Sequence, residues 1–144
     1  MQPPTTPSQS DLASIRTVVN TLLTALHAKN IPQMLSTIHP DAHSLTSHAG
    51  KFESRPSTTH IEDTGRHTAD LEEVFVEPWD VRVWGKMGVV LAMSQISVEG
   101  RVVMRGWNCV VLHKFAVGGE EGGEGQGEGW KITAITDCLV PAEG

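Results

Sequence analysis

Three histidines, His39, His43 and His48, fall within ten residues of one another. Imidazole titrates near neutrality, so such a patch can give or take protons as a general acid or base. His43 and His48 differ by five positions, and on a regular strand they point to opposite faces, so no more than one of them reaches a shared cavity. Their spacing does not fit one helical face and no Cys or carboxylate is visibly placed beside them, so the cluster does not read as a metal site. Asn108 is the one polar side chain in a row otherwise made of Met104, Gly106, Val110 and Leu112. A lone amide in an apolar row needs a hydrogen-bond partner or a ligand. As a ligand group it could steady charge on a carbonyl or enolate oxygen. Asp137 is a reserve base. If Trp130, Ile132, Ala134, Thr136 and Cys138 form the inward row of the last strand, Asp137 points away and Thr136 lines the cavity, and a one-residue bulge would reverse both. Trp84 and Trp107 could stack on a flat ligand or serve as core or interface packing.

The elements that must position these groups follow from periodicity. Leu12, Ile15, Val18, Val19, Leu22 and Leu26 recur at three- and four-residue steps, and Ser10 with Asp11 offers a cap and a first-turn charge, which predicts an amphipathic helix over 11–28. Asn30 can cap a second, shorter helix with Pro32 in its first turn and Ile31, Met34, Leu35 and Ile38 on its apolar face. Residues 42–54 alternate loosely around Ala49-Gly50-Lys51 and read as a short hairpin. Thr59 and Glu62 have capping-box spacing and predict a third helix, weakened by Gly65. From Leu71 on, β-branched and aromatic runs separated by Gly predict strands at roughly 72–84, 88–98, 101–117 and 130–139. The stretch 118–129 is Gly- and Glu-rich and reads as a flexible spacer, and 1–9 as a disordered lead to a single domain over 10–140.

The chain has 144 residues, 39% hydrophobic and 19% charged, with a formal net charge of −6. That composition fits one globular domain of α+β class. With no Lys/Arg cluster it argues against a nucleic-acid partner. The N-terminal segment has no signal-peptide pattern and no stretch is long and apolar enough for a membrane span, so the sequence reads as a cytoplasmic protein without a membrane partner. Cys109 and Cys138 both fall in expected strands and read as reduced, buried hydrophobes.

Helices followed by a long meander give a bent antiparallel sheet covered on one face by two or three N-terminal helices, which leaves a tapering cavity between the layers. At this point Ala69-Asp-Leu-Glu-Glu-Val-Phe75, Trp79-Asp-Val-Arg-Val-Trp-Gly85, Gly106-Trp-Asn-Cys-Val-Val-Leu112 and Gly129-Trp-Lys-Ile-Thr-Ala-Ile-Thr-Asp137 resemble the nuclear-transport-factor-2-like (NTF2-like) superfamily, and within it the SnoaL-like and lumazine-binding types. The resemblance covers about residues 11–139. It implies the cone-shaped fold and a site inside the cone. It also implies either a ketosteroid isomerase-like, dehydratase-like or cyclase-like enzyme, or a non-catalytic binding domain. The isomerase-like and dehydratase-like patterns use a Tyr, and this chain has none.

The resulting expectation is a lyase or isomerase without a cofactor, acting on a small hydrophobic oxygenated metabolite such as a polyketide or terpenoid intermediate of secondary metabolism. His48 or His43 would move the proton, Asn108 would steady oxygen charge, Asp137 stands in reserve, and Met104, Val110, Thr136, Trp84 and Trp107 would contact substrate. The alternative is a small-molecule-binding or dimeric interaction domain. A third reading, an epoxide-opening hydrolase, needs an Arg and a carboxylate in one pocket, and the sequence assigns no inward face to Arg55, Arg101 or Arg105. The row containing Trp107, Cys109 and Val111 suggests a homodimer formed through the outer sheet face.

Overall fold

A computed structural model of the protein describes residues 8–116 and 127–142. Most of the expected lead, 1–7, and of the Gly/Glu loop, 118–126, lies outside the described residues. Helix α1 spans Gln9–Ala28 and buries Ile15, Val19, Leu22, Ala25 and Leu26, the stripe read from the sequence. Its cap is Ser8 rather than Ser10: the Ser8 hydroxyl accepts the Asp11 amide at 3.0 Å, so the helix starts earlier and takes in the last residue of the expected lead. Lys29 closes α1 in the left-handed region, φ 57°, and its ammonium donates to the carbonyls of His67 and Ala69. Asn30 caps α2 (Ile31–Ser36) by accepting from the Gln33 amide at 3.2 Å.

Helix α3 is Ser57–Gly65, with Pro56 at its N-cap and no side-chain cap, so Thr59 and Glu62 do not form the expected capping box. Gly65 does not weaken it, because the position is a packing site: a Cβ there would lie 2.5 Å from Ile31 Cγ1 and 2.8 Å from Met34 Cε. The missing side chain lets α2 settle onto α3, which outweighs the propensity cost of Gly in a helix.

The strands are β1 (Ile38–His48), β2 (Lys51–Pro56), β3 (Leu71–Trp84), β4 (Met87–Val98), β5 (Arg101–Ala116) and β6 (Glu128–Pro141), in sheet order β2-β1-β6-β5-β4-β3. All neighbours are antiparallel except β1 and β6, which run parallel. The β1–β2 and β4–β5 hairpins turn on Ala49-Gly50 and Glu99-Gly100, all at positive φ, the geometry that suits the right-handed twist of the strands. The helices cover one face, and the core lies between that face and α1, with Val90, Ala92, Val110, Leu112 and Ile132 beneath Ile15 and Val19.

Two irregularities shape the sheet. On β3 the register against β4 shifts between Val76 and Asp80, around Pro78, which has no amide to give to the ladder. On β6 one extra residue, Thr133, fits between the pairs Val111–Ala134 and Leu112–Ile132. Its hydroxyl lies 2.6 Å from His113 Nδ1 and donates to the Val111 carbonyl at 3.3 Å, so the bulge leaves no orphaned polar group on that side chain. Buried positions accordingly run Trp130, Ile132, then Ile135 and Leu139.

No helix among the described residues is long and apolar enough to cross a membrane. Where β5 crosses β6, backbones come so close that a Cβ on Gly106 would stand 1.9 Å from the Cys138 carbonyl oxygen. Gly106→Ala should therefore force the two strands apart and destabilise the domain by about 2 kcal/mol or more. Thermal unfolding with an unchanged midpoint would show that the strands tolerate the separation.

Candidate functional site

A cavity of about 330 Å³ opens between α1, α3 and the concave sheet face. Most of its wall is hydrocarbon, contributed by residues such as Leu22, Leu26, Ile61, Phe75, Met104 and Val110. Into this wall the sheet sets five polar or charged side chains from five strands, His48, Arg55, Glu73, Asn108 and Asp137, and α3 adds His60.

His48 and Asp137 are joined by the parallel pairing of β1 with β6. That register sets Thr46 beside Asp137, so the end of β1 reaches over the carboxylate. Asp137 Oδ1 accepts the Ser47 amide at 3.1 Å and Oδ2 lies 3.1 Å from His48 Nε2. The carboxylate side chain is only 5% exposed and the imidazole 39%, so the carboxylate is fixed and the imidazole keeps one edge reachable. The hydrogen bond that His48 donates to Asp137 raises the His48 pKa above 6.5, against the opposing effect of burial.

Glu73 approaches from β3, where it shares the inward row with Leu71 and Phe75. Its Oε2 accepts from Ser94 Oγ at 2.5 Å and from Asn108 Nδ2 at 3.3 Å. Burial pushes its pKa up from 4.5, the two hydrogen bonds oppose this, and the charge of Asp137 adds to the rise. Arg55, on edge strand β2, gives Nη1 to Asp63 at 3.0 Å, and its Nε lies 3.7 Å from Glu53 Oε2, within ion-pair range but beyond a hydrogen bond. His60, on α3 beside it, has its pKa lowered from 6.5, first by burial and then by the Arg55 charge.

Among the described residues, the buried side-chain polar atoms without a hydrogen-bond partner are Arg55 Nε, His60 Nδ1 and Asn108 Oδ1. All three residues line this cavity. An orphaned buried donor or acceptor costs about 1–3 kcal/mol, a cost the fold carries three times beside this cavity.

The sequence-derived candidates divide by strand parity. His48, Asn108, Met104 and Val110 are on the cavity wall. Asp137 is there too, because the Thr133 bulge inverts β6 beyond it, and the same inversion turns Thr136 and Cys138 to the exposed outer face. Thr136 is therefore not a wall residue, and Cys138 is a free exposed thiol instead of a buried one, with Cys109 free and half-buried. His43 points outward, where Nε2 meets Ser54 Oγ at 2.7 Å. Trp107 is 53% exposed on the outer face, and Trp84 follows the inward Val83 and so faces away from the cavity; neither can contact a ligand held there. Among the described residues no group of three or more His, Cys, Asp or Glu side chains is arranged to hold a metal ion.

Glu73 and His60 were missed from sequence, and Arg55 was named there without an inward face. Glu73 carries the same signal that singled out Asn108, a polar residue in an apolar alternating row, and the strand pattern was sufficient to find it. Arg55 lies on a polar edge strand and His60 on a short helix, where nothing in the pattern distinguishes cavity from solvent.

No protein-family model matches the sequence, and no curated protein matches it. Solved structures do. A conserved protein from Planctomyces limnophilus superposes with a TM-score of 0.71 at 15% identity, covering 94% of this chain and 100% of that one. An NTF2-like protein from Cytophaga hutchinsonii gives 0.66 at 19% identity, over 93% and 100% of the two chains. An NTF2-like protein of unknown function from Silicibacter pomeroyi gives 0.61 at 14%, over 93% and 99%. The chain has the NTF2-like fold. At these identities the likeness reaches the scaffold and stops there, so the chemistry of this NTF2-like cone rests on its own residues.

Two titrations test the site. The His48 imidazole should titrate by NMR with a midpoint above 6.5, and Asp137→Asn should bring it down; an unchanged midpoint would mean the pair does not form in solution. Glu73 has a folded-state pKa above its unfolded 4.5, so its contribution to stability is complete below 4.5 and is lost as pH rises through the raised value. The His48 pair behaves likewise from 6.5 upward, more weakly because the imidazole is partly solvated. The stability difference between wild type and Glu73→Gln, which mimics the protonated acid, should therefore shift in favour of the variant as pH rises above 4.5, and a difference that does not change with pH would show that burial does not perturb Glu73.

Proposed function

We propose that the protein is an acid–base lyase or isomerase that works without a cofactor on a small, largely apolar oxygenated metabolite held in the cone. The observation that carries this reading is the pairing on one wall of an imidazole buttressed by a carboxylate, His48 with Asp137, and a second carboxyl, Glu73, whose pKa burial raises above 4.5. One group is strengthened as a base while the other is preserved as an acid, the arrangement by which a single site runs proton transfer in both directions.

In the proposed reaction neutral His48 takes a proton from a carbon next to a carbonyl. The C–H electrons become a C=C bond, and Glu73 delivers its proton either to a departing hydroxyl, which leaves as water, or to another carbon, which shifts the double bond. His48 then returns its proton to Glu73 through solvent at the cavity mouth. Asp137 holds the imidazole in one orientation and stabilises its charged form. Asn108 positions Glu73 through the 3.3 Å hydrogen bond, and Met104 and Val110 orient the substrate and exclude water. The carboxyl group supplies the proton donor that a Tyr provides elsewhere.

A second reading is supported by Arg55, which lines the same cavity as Glu73 and Asp137: the site then meets the condition of an Arg and a carboxylate in one pocket for opening an epoxide with water. We also propose a homodimer through the outer sheet face, on the strength of the exposed Leu91, Met93, Trp107 and Val140, which lie side by side on β4, β5 and β6.

With a panel of small hydroxyketones, enones and epoxides as substrates, His48→Gln and Glu73→Gln should each lower kcat by about a hundredfold or more while thermal unfolding stays cooperative. The wild-type pH profile should be bell-shaped, with Glu73→Gln abolishing the limb that reports the acid. Turnover indifferent to both substitutions would remove this mechanism. Turnover confined to the epoxides would select the second reading. For the dimer, Trp107→Glu should halve the mass measured in solution, and a wild-type mass of one chain would exclude it.

A further inference from the structure

Glu73 is held on the cavity wall by the strands beside it. Strand β4 lies between β3 and β5, and its inward row runs Gly88, Val90, Ala92 and Ser94, all buried. Ser94 is the one side chain of that row able to hydrogen bond, and it has no exposed surface. The register pairs Ser94 with Phe75 on β3 and with Gly106 on β5, while Glu73 pairs with Ile96 and Ala92 with Asn108. Ser94 therefore stands diagonally from Glu73 on one side and from Asn108 on the other, a separation that a long side chain spans. Because Ala92 and Ser94 are small, the Glu73 side chain can cross β4 and meet Asn108 beyond it.

Two donors converge on Glu73 Oε2, and their distances rank them. Ser94 Oγ at 2.5 Å has the length of a hydroxyl bonded to a carboxylate, whereas Asn108 Nδ2 at 3.3 Å is longer than an ordinary N–H···O bond. Ser94 is enclosed, so its hydroxyl depends on the carboxyl for a partner as much as the carboxyl depends on it. Oε1 takes part in no described hydrogen bond and is not one of the fully buried orphaned atoms, so it keeps accessible surface. Asp137 on β6 and His48 on β1 act on Glu73 through charge alone, Arg55 and His60 line the same cavity, and His27 and Glu72 border the shallow pocket on its other side. Among the described residues, the side chains that hydrogen bond to Glu73 are those of Ser94 and Asn108.

We infer that Ser94 is the positioning residue for Glu73: its hydroxyl ties Oε2 to β4 and leaves Oε1 as the oxygen offered to a ligand, with Asn108 as the weaker second hold. This rests on the acid–base reading above only in taking Glu73 as a working group. Burial raises the Glu73 pKa, and against it the two hydrogen bonds pull down, Ser94 ahead of Asn108. Loss of the Ser94 hydroxyl therefore removes a bond that favours the ionised carboxyl and frees the end of the side chain to rotate.

The test is a pH titration of the Glu73 carboxyl by carbon-13 NMR in the whole chain, its resonance assigned by its loss in Glu73→Gln. Ser94→Ala should move the Glu73 midpoint upward, and Asn108→Leu should move it less. Ser94→Thr and Ser94→Val add the same bulk and differ in the hydroxyl, so the threonine variant should titrate below the valine variant whatever strain the added methyl groups bring. Cooperative thermal unfolding identifies the variants that are folded, and the alanine and leucine substitutions decide the matter if the bulkier pair is not. With any compound of the substrate panel that is turned over, Ser94→Ala should lower kcat about tenfold with little change in KM, and the limb of the pH profile that reports Glu73 should move with the NMR midpoint.

An unchanged or lowered midpoint in Ser94→Ala, a larger shift in Asn108→Leu, or equal midpoints in folded Ser94→Thr and Ser94→Val would overturn the inference. Turnover that ignores Ser94→Ala despite the shift would overturn the positioning role. Because the titration is read without turnover, a failed pattern beside an active wild-type enzyme removes this assignment alone. The expected shifts in a protein that turns over no member of the panel would support the hold of Ser94 on Glu73 and remove the acid–base mechanism instead.

Discussion

The single extra residue in β6 is the constraint on which the site depends. In a strand the side chains alternate, so inserting Thr133 into the ladder exchanges the two faces of everything that follows. Before the bulge Trp130 and Ile132 face the helices; after it Ile135, Asp137 and Leu139 do. Without it Asp137 would stand on the outer face, His48 would have no carboxylate, and Thr136 and Cys138 would fill the cone. The bulge is itself secured by the Thr133 hydroxyl, which bonds across the place where the ladder is broken. The parallel pairing of β1 with β6 then brings the end of β1 alongside, so that Ser47 and His48 meet the carboxylate from backbone and side chain together.

An apolar cone tolerates two carboxyl groups because each is handled differently. Asp137 keeps company with an imidazole and a backbone amide, one on each carboxylate oxygen. Glu73 accepts only from the neutral Ser94 and Asn108, and burial pushes it toward the protonated form. The same physical cost, a charge removed from water, is therefore met in two ways: Asp137 faces an imidazole, and Glu73 has its pKa raised. Their difference in environment, more than their identity as acids, is what sets the two carboxyl groups apart.

Much of the scaffold was legible in advance. The apolar steps from Leu12 to Leu26 have the period of a helix, the runs from Leu71 to Ala116 have the period of strands, and both signals come from residues adjacent in the chain. Elements set by contact between distant segments were less legible. Gly65 looked like a weakness in α3 until Ile31 and Met34 were seen to need its missing side chain. Pro40 lies inside β1, which begins earlier than the alternation suggested because Ile38 pairs with Ile132 of β6. Asn108 and Glu73 share one sequence signal, a polar residue in an apolar row, and they turned out to be hydrogen-bonded to each other.

By itself the sequence determined the kinds of element, their order and which face of β5 is apolar, since these follow from side-chain period and composition along a contiguous stretch. It also put His43 and His48 on opposite faces, an outcome fixed by parity alone. Only the tertiary structure decided which of the two enters the cavity, which face of β6 turns inward, and that Arg55 and His60 arrive at the same wall from an edge strand and a short helix. Those outcomes depend on register between strands far apart in the chain, and one bulge residue can reverse them without leaving a mark in the local pattern.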